Sequence, residues 1–372
     1  MSIAGIILSG IYSDELDPIT KKRTVASLPF GGRYRQIDFI LSNMVNSDIV
    51  NVGIITKYNY SSLIDHLGSC QDWDLNRKLG GVKIIPPFAS GDIGGYRGKI
   101  EELRAALPFL KELKSDYVVL ADTDTLCNVA LRPVIERHRA SGRDLTIVAS
   151  PVRADETDVS ELVFDAEEGN PSGIYLNYSA RNGQFSSDGL YVFGREYLID
   201  RVEYFAARGY YHLERDLIQQ GFNTGALSVG LDVFEGIVLK NRTIPAYLKN
   251  SLSLTDRKIR EGLFRQDRPI YTAVRDEIPT YYGENSEVRD STIADGCRIY
   301  GNIERSVIFR GVNVEKGAVV KNSVVMDSCV IRTGARVENA VLDKNVEICG
   351  GITVCGSPDA PAIIGKGMKV RE

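Results

Sequence analysis

Two patterns of apolar residues divide the chain. In the first, short apolar runs alternate with segments whose apolar residues recur at helical spacing. IAGIILSG, VNVGIITKY, GGVKIIPPF, SDYVVLADTD, RDLTIVASPV and GLYVFG read as strands, several apolar on both faces as buried parallel strands are. Between them QIDFILSNMVNSD, YSSLIDHLG, KIEELRAALPFLKEL and LRPVIERHRASG read as helices. This alternation predicts an α/β fold with a doubly wound parallel sheet, whose ligands sit at the C-terminal ends of the strands.

From about Glu287 the helical period vanishes. Apolar residues recur at Val288, Ile293, Ile299, Ile303, Ile308, Val314, Val320, Val325, Ile331, Val337, Leu342 and Ile348, with Gly, Asn, Asp and Ser between them. Hexapeptide spacing of this kind predicts a parallel β-helix, in which each inward aliphatic stacks on its counterpart one coil away. An antiparallel sandwich would need strict alternation and hairpin turns, and is the lesser alternative. The pattern divides the chain into an α/β domain over 1–249, a connecting segment over 250–286 and a β-helix over 287–372.

A length of 372 residues agrees with two domains. The net charge of −4 argues against nucleic acid or an anionic membrane as partner, and leaves room for a local basic patch that binds a small anion. The cysteines at 70, 127, 297, 329, 349 and 355 show no Cys-x-x-Cys spacing and read as reduced, mostly buried thiols. The first apolar run is too short for a signal peptide or a membrane span, so a cytoplasmic location is expected. His66, His138 and His212 lack ligand spacing, and Trp73 reads as packing.

The first strand runs into ILSGIYSDEL, residues 7–16. Nucleotide phosphates usually sit after such a strand, yet this turn carries acid and no glycine-rich cradle. Downstream, SLPFGGRYRQIDFILSNMVNSDIVNVGIITKY resembles the ADP-glucose pyrophosphorylase (glucose-1-phosphate adenylyltransferase) family, whose members show P-F-G-G-[KR]-[YF]-R-x-I-D-F-x-L-S-N-x-x-N-S. YNYSSLIDHLG, the Tyr96–Gly98 tripeptide, SDGLYVF at 187–193 and the β-helix extend the resemblance over nearly the whole chain. It implies a Rossmann-like nucleotidyltransferase domain followed by a left-handed β-helix. It also implies adenylyl transfer from ATP to glucose 1-phosphate, assisted by Mg2+.

Such chemistry needs donors around the triphosphate, carboxylates on the metal and a cation near the attacking phosphate. Against the family's L-A-G-G-x-G-x-R-L, this chain keeps Gly10 but has Ile11, Tyr12 and Ser13, and Glu15 stands at the arginine position. A carboxylate about 4 Å from a phosphate repels it by roughly 4 kcal/mol per unit charge at an effective dielectric of 20. Val25 stands for the lysine of A-K-P-A-V, and P-A-Q becomes Pro86-Pro87-Phe88. G-T-A-D-A becomes Gly98-Lys99-Ile100-Glu101-Glu102. Thr123 takes the metal-ligand position of S-G-D-H, although Asp122 or Asp124 could hold a metal if the register slips by one. Ser228 is the best match to the carboxylate of W-x-D-V-G-T.

The resemblance therefore points to the family's non-catalytic, D-type (GlgD-like) regulatory subunits. It implies a hetero-oligomer, as a tetramer, with a catalytic subunit that uses the ATP and Mg2+; homo-oligomers are a further possibility. Lys22, Arg23 and Arg35 match positions that resemble the effector site of regulated members, and read equally as a solvated basic face or as a site for an anionic metabolite. The alternative is an active sugar-phosphate nucleotidyltransferase with a divergent site on Asp122, Asp124, Glu101 and Lys57.

Overall fold

The computed structural model describes residues 1–9, 14–78, 80–86, 96–152 and 159–371. Four parallel strands, ordered Gly81–Ile85, Asn51–Ile55, Ile3–Leu8 and Tyr117–Asp122, form the Rossmann-like half of the main sheet. Side chains alternate across it. Ile6, Leu8 and Leu120 meet the helices Lys99–Glu112 and Arg195–Ala206 on one face. Ile7, Val119 and Ala121 meet the helices Gln36–Val45 and Leu131–Ser141 on the other.

The other half of the sheet departs from the all-parallel expectation. Phe185–Gly194 runs antiparallel between Tyr117–Asp122 and Leu145–Pro151. The hairpin Val159–Glu167 and Asn170–Ser179 forms the sheet's edge. Glu168 and Gly169 at its turn both have positive φ, the geometry of a two-residue hairpin turn that follows the strand twist. Local apolarity cannot report strand direction, and the half-exposed edge strand NPSGIYLNYS carries no apolar run.

The C-terminal domain is a left-handed β-helix with three parallel sheets, one per face. Ile299, Val314, Ile331 and Ile348 stack in register inside it, as do Ile303, Val320 and Val337, and Ile308, Val325 and Leu342. One corner holds Asp290, Arg305, Asn322 and Asn339 in the left-handed region, with φ of 43–45°. Serines follow three of them. The Ser306 amide donates to Ser291 Oγ (3.1 Å), Ser323 to Ser306 Oγ (3.2 Å) and Ala340 to Ser323 Oγ (3.1 Å). This hydroxyl ladder satisfies the buried corner amides.

The third face is apolar on both sides. Val307, Val324 and Val341, neighbours of the inward Ile308, Val325 and Leu342, pack with Phe309 and Met326 against Leu16, Val25, Leu28, Phe30 and Tyr247 of the α/β domain. The doublets in SVIF, SVVM and AVLD thus serve two cores. The connecting segment begins inside the helix Ile244–Ser253 and carries a second helix, Arg257–Leu263. Its later part is tied back: Asn46 Nδ2 donates to Pro269 O (3.0 Å) and Tyr271 N to Ser42 Oγ (2.8 Å). The strand Tyr281–Tyr282 already belongs to the first coil. Four of the six cysteines are buried.

Candidate functional site

Leu8 and Asp122 lie side by side at the C-terminal ends of the two central strands. The strand order reverses between them, the chain running outward from Ile3–Leu8 to Gly81–Ile85 before it returns to Tyr117–Asp122 on the other side, and ligands of such sheets bind in the crevice at this point. Asp122, Thr123 and Asp124 are all buried at its floor. Gly189, on the neighbouring antiparallel strand, makes room for them: its φ is 70°, and an added Cβ would lie 2.8 Å from the Asp122 Cβ.

Lys99 enters the crevice from the first turn of its helix. The preceding Gly98 has no alternative, because a Cβ there would lie 2.2 Å from the Tyr211 carbonyl oxygen. That oxygen accepts from the Ile100 amide at 3.0 Å, which sets the helix start against the π-helical segment Leu213–Gln219. Lys99 Nζ donates to Asp122 Oδ2 (2.9 Å), Glu161 Oε2 (2.9 Å) and Glu214 Oε1 (2.6 Å). A cation at a helix N-terminus opposes the macrodipole, so the carboxylates hold it there. Burial alone would favour the neutral amine; the three acids outweigh it and keep the ammonium well above the usual lysine range. Burial also raises the carboxyls of Asp122 and Glu214 against the pull of Lys99. One ammonium serves three acids, and the excess negative charge favours a retained proton.

Two more cations close the same crevice. Arg242 Nε donates to Asp124 Oδ2 at 2.7 Å, and although burial works the other way this contact holds Asp124 below the usual carboxylate range. Lys240 Nζ donates to Ser186 Oγ (2.6 Å) and lies 3.5 Å from Asp188 Oδ1, an ion pair without a hydrogen bond. Burial pushes Asp188 up to about 6, with Lys240 opposing. Local structure delivers both cations. The strand Val238–Lys240 pairs with Thr125–Cys127, Asn241 N donates to Asp124 O (2.8 Å), and Thr243 caps the next helix by accepting from Ala246 N (3.2 Å). Glu102, on the helix that carries Lys99, is pushed by burial up to about 7, and its Oε2 has no partner.

The other expected positions fall as follows. Ile11 and Tyr12 lie outside the described residues, as do Pro87 and Phe88. Glu15 is exposed in the short turn Asp14–Leu16, and Val25 is buried in the core between the domains. Thr123 Oγ1 donates to Leu8 O at 3.5 Å. Glu101 is held by Arg97, Nε to Oε1 at 2.8 Å. Ser228 needs correction: it precedes the strand Val229–Val233 at the opposite end of the sheet, level with Leu145, and its Oγ donates to Asp144 Oδ2 at 2.6 Å. The crevice position expected for it is taken by Lys240, Asn241 and Arg242. A short S-V-G match carries no information about which end of a sheet it reaches, and the basic KNR before a helix cap was the signal available.

The residues present do not fit a divalent metal. Asp122 and Asp124 each hold an internal cation, and with those cations in place no group of three His, Cys, Asp or Glu among the described residues could hold a metal ion.

A second cluster lines a cavity between the α/β domain and the β-helix: Arg33, Arg35, His66, Arg275, Arg310, Asp327 and Lys344. Arg35 precedes the helix Gln36–Val45; its amide donates to Asp38 Oδ2 (2.9 Å) and its guanidinium to the Ser62 hydroxyl (2.9 Å) and carbonyl. Burial lowers its pKa to about 10, against the opposite pull of Asp38. His66 Nε2 and Asp38 Oδ1 share a hydrogen bond of 2.6 Å. Arg310 pairs with Asp295 (3.1 Å) and Lys344 with Asp327 (2.6 Å), while Arg275 is exposed. Of the three effector candidates, only Arg35 lines the cavity. Lys22 is exposed, and Arg23 is buried in an ion pair with Asp343 at 2.7 Å that joins the two domains.

No helix among the described residues is long and apolar enough to cross a membrane. Residues 4–159 match the nucleotidyl transferase family model, and 278–362 match the GlmU-like C-terminal hexapeptide model. The glycogen biosynthesis protein GlgD of Bacillus subtilis is 30% identical over 98% of this chain and 96% of its own length. That of Geobacillus stearothermophilus is 34% identical over 85% and 82%. The glucose-1-phosphate adenylyltransferase of Pseudothermotoga lettingae is 32% identical over 86% and 76%. A Rossmann-like sheet, a hexapeptide β-helix and these full-length similarities together establish that the chain belongs to the GlgD-type branch of the ADP-glucose pyrophosphorylase family.

Proposed function

We propose that this chain is a regulatory, non-catalytic subunit of glucose-1-phosphate adenylyltransferase in glycogen synthesis, acting in the cytoplasm on a catalytic partner subunit within a heterotetramer. The observation that carries the reading is the Lys99 ammonium bound to Asp122, Glu161 and Glu214, where the crevice would receive substrate and metal. Magnesium nucleotide entering here would meet an ammonium already saturated by the carboxylates it needs. ATP and Mg2+ are then used by the partner.

Regulation requires this chain to bias its partner toward one conformation, with a coupling free energy on the order of 1–3 kcal/mol. The cavity at the domain junction supports such a role, because Arg33, Arg35, Arg275, Arg310 and Lys344 outnumber the acids beside them, Asp38, Asp295 and Asp327. An anionic metabolite bound there would bridge the α/β domain and the β-helix, and so bear on their relative position.

The test is pyrophosphate release by the purified chain with ATP, glucose 1-phosphate and Mg2+, followed by titration into a catalytic subunit. The expected result is no release alone and a changed rate or activator response in the mixture. Robust release by the chain alone overturns the reading.

A further inference from the structure

The family's metal chemistry and the residues of this crevice disagree, and the disagreement has a specific form. Lys99 Nζ lies 2.6–2.9 Å from one oxygen each of Asp122, Glu161 and Glu214. Three carboxylates converging on one point are the surroundings of a hard cation. Here the cation is covalently part of the chain.

We infer that the Lys99 ammonium is a resident substitute for a divalent metal ion, and that this internal cation is what closes the carboxylate cage to external ones. Several independent features deliver it. Gly98 permits the approach to Tyr211 that starts the helix at Lys99. The π-helical segment presents Glu214, buried, to the amine. The edge hairpin supplies Glu161. Asp122 is buried, and its Oδ1 is left without a partner, so the cage retains an acceptor that the ammonium does not satisfy. A solvated lysine needs none of this.

Mn2+ is the probe, read by electron paramagnetic resonance and by thermal unfolding on the full chain. Wild type is expected to show no saturable Mn2+ site in the crevice and no Mn2+-dependent shift in Tm. Lys99→Met is expected to gain one saturable Mn2+ per chain and to rise in Tm as Mn2+ is added, with both effects lost when Asp122→Asn is combined with it. If Lys99→Met fails to fold, Lys99→Met with Glu161→Gln carries less unbalanced charge and is read in the same way. A wild-type Mn2+ site that Asp122→Asn removes would overturn the inference, as would a folded Lys99→Met chain that gains no site. The inference rests on the family assignment of this end of the sheet, not on absence of turnover. Pyrophosphate release by wild type would sink the regulatory reading and leave the Mn2+ comparison to decide this one.

Discussion

The crevice and the junction cavity hold similar side chains in opposite balance. In the crevice, Lys99, Lys240 and Arg242 face Asp122, Glu161, Glu214, Asp124 and Asp188, so acids exceed cations and each cation has its acid inside the protein. In the cavity, cations exceed acids and Arg275 faces solvent. Buried charges must be paired within the fold, whereas an excess of cations in a solvent-open cavity leaves charge for a ligand. A site that resembles an active centre by position is electrostatically closed, and the one at the domain junction is open.

That contrast can be attacked where it is strongest. Lys99→Met leaves three carboxylates without their cation, and should cost about 3–5 kcal/mol in denaturant unfolding at pH 7. The loss should shrink on acidification. Carboxyls raised in the folded state bind more protons than in the unfolded chain, so stability declines as pH rises through their folded values. A loss below about 1 kcal/mol would mean that the cage contributes little.

Arg23 sharpens the comparison, because sequence groups it with the cavity cations and the fold treats it as a crevice cation. It and Asp343 are each 3% exposed. Arg23→Met should therefore destabilise the chain by about 3 kcal/mol, by stranding Asp343 between the domains. A change in anion binding without loss of stability would return Arg23 to the effector site.

Glu102 tests whether the crevice carries more acid than it needs. Its carboxyl is raised to about 7 by burial, so wild-type stability should fall as pH rises from about 4 through 7. Glu102→Gln should flatten that slope and stabilise the chain at pH 8 by about 2 kcal/mol. An unchanged pH profile would show that Glu102 titrates normally. The smallest effect is expected in the cavity: Arg275→Ala should alter Tm little, within about 0.5 kcal/mol, while weakening the partner's activator response. An unaltered activation curve would remove Arg275 from the effector site.

How much of this could be read from residues depends on the distance over which the information acts. Helical and hexapeptide periods are local, and they predicted the parallel strands, four of the helices and the stacked columns Ile299 to Ile348. Strand direction is not local, so GLYVFG reads as a strand without its antiparallel course, and the edge hairpin went unseen. The Gly98-Lys99 departure was visible in the sequence, but its partners Asp122, Glu161 and Glu214 lie 23, 62 and 115 residues away. The same limit misplaced the W-x-D-V-G-T match at Ser228 and hid the role of KNR beside Asp124.

The sequence by itself determined the pairing of an α/β fold with a β-helix and the family, because each is written in residue type and short-range spacing. Tertiary structure alone decided which charges meet. It put Lys99 in a carboxylate cage, Arg23 on Asp343, and Arg275, Arg310 and Lys344 around Arg35. Coulomb interactions depend on distance and burial through space, and neither is a function of position along the chain.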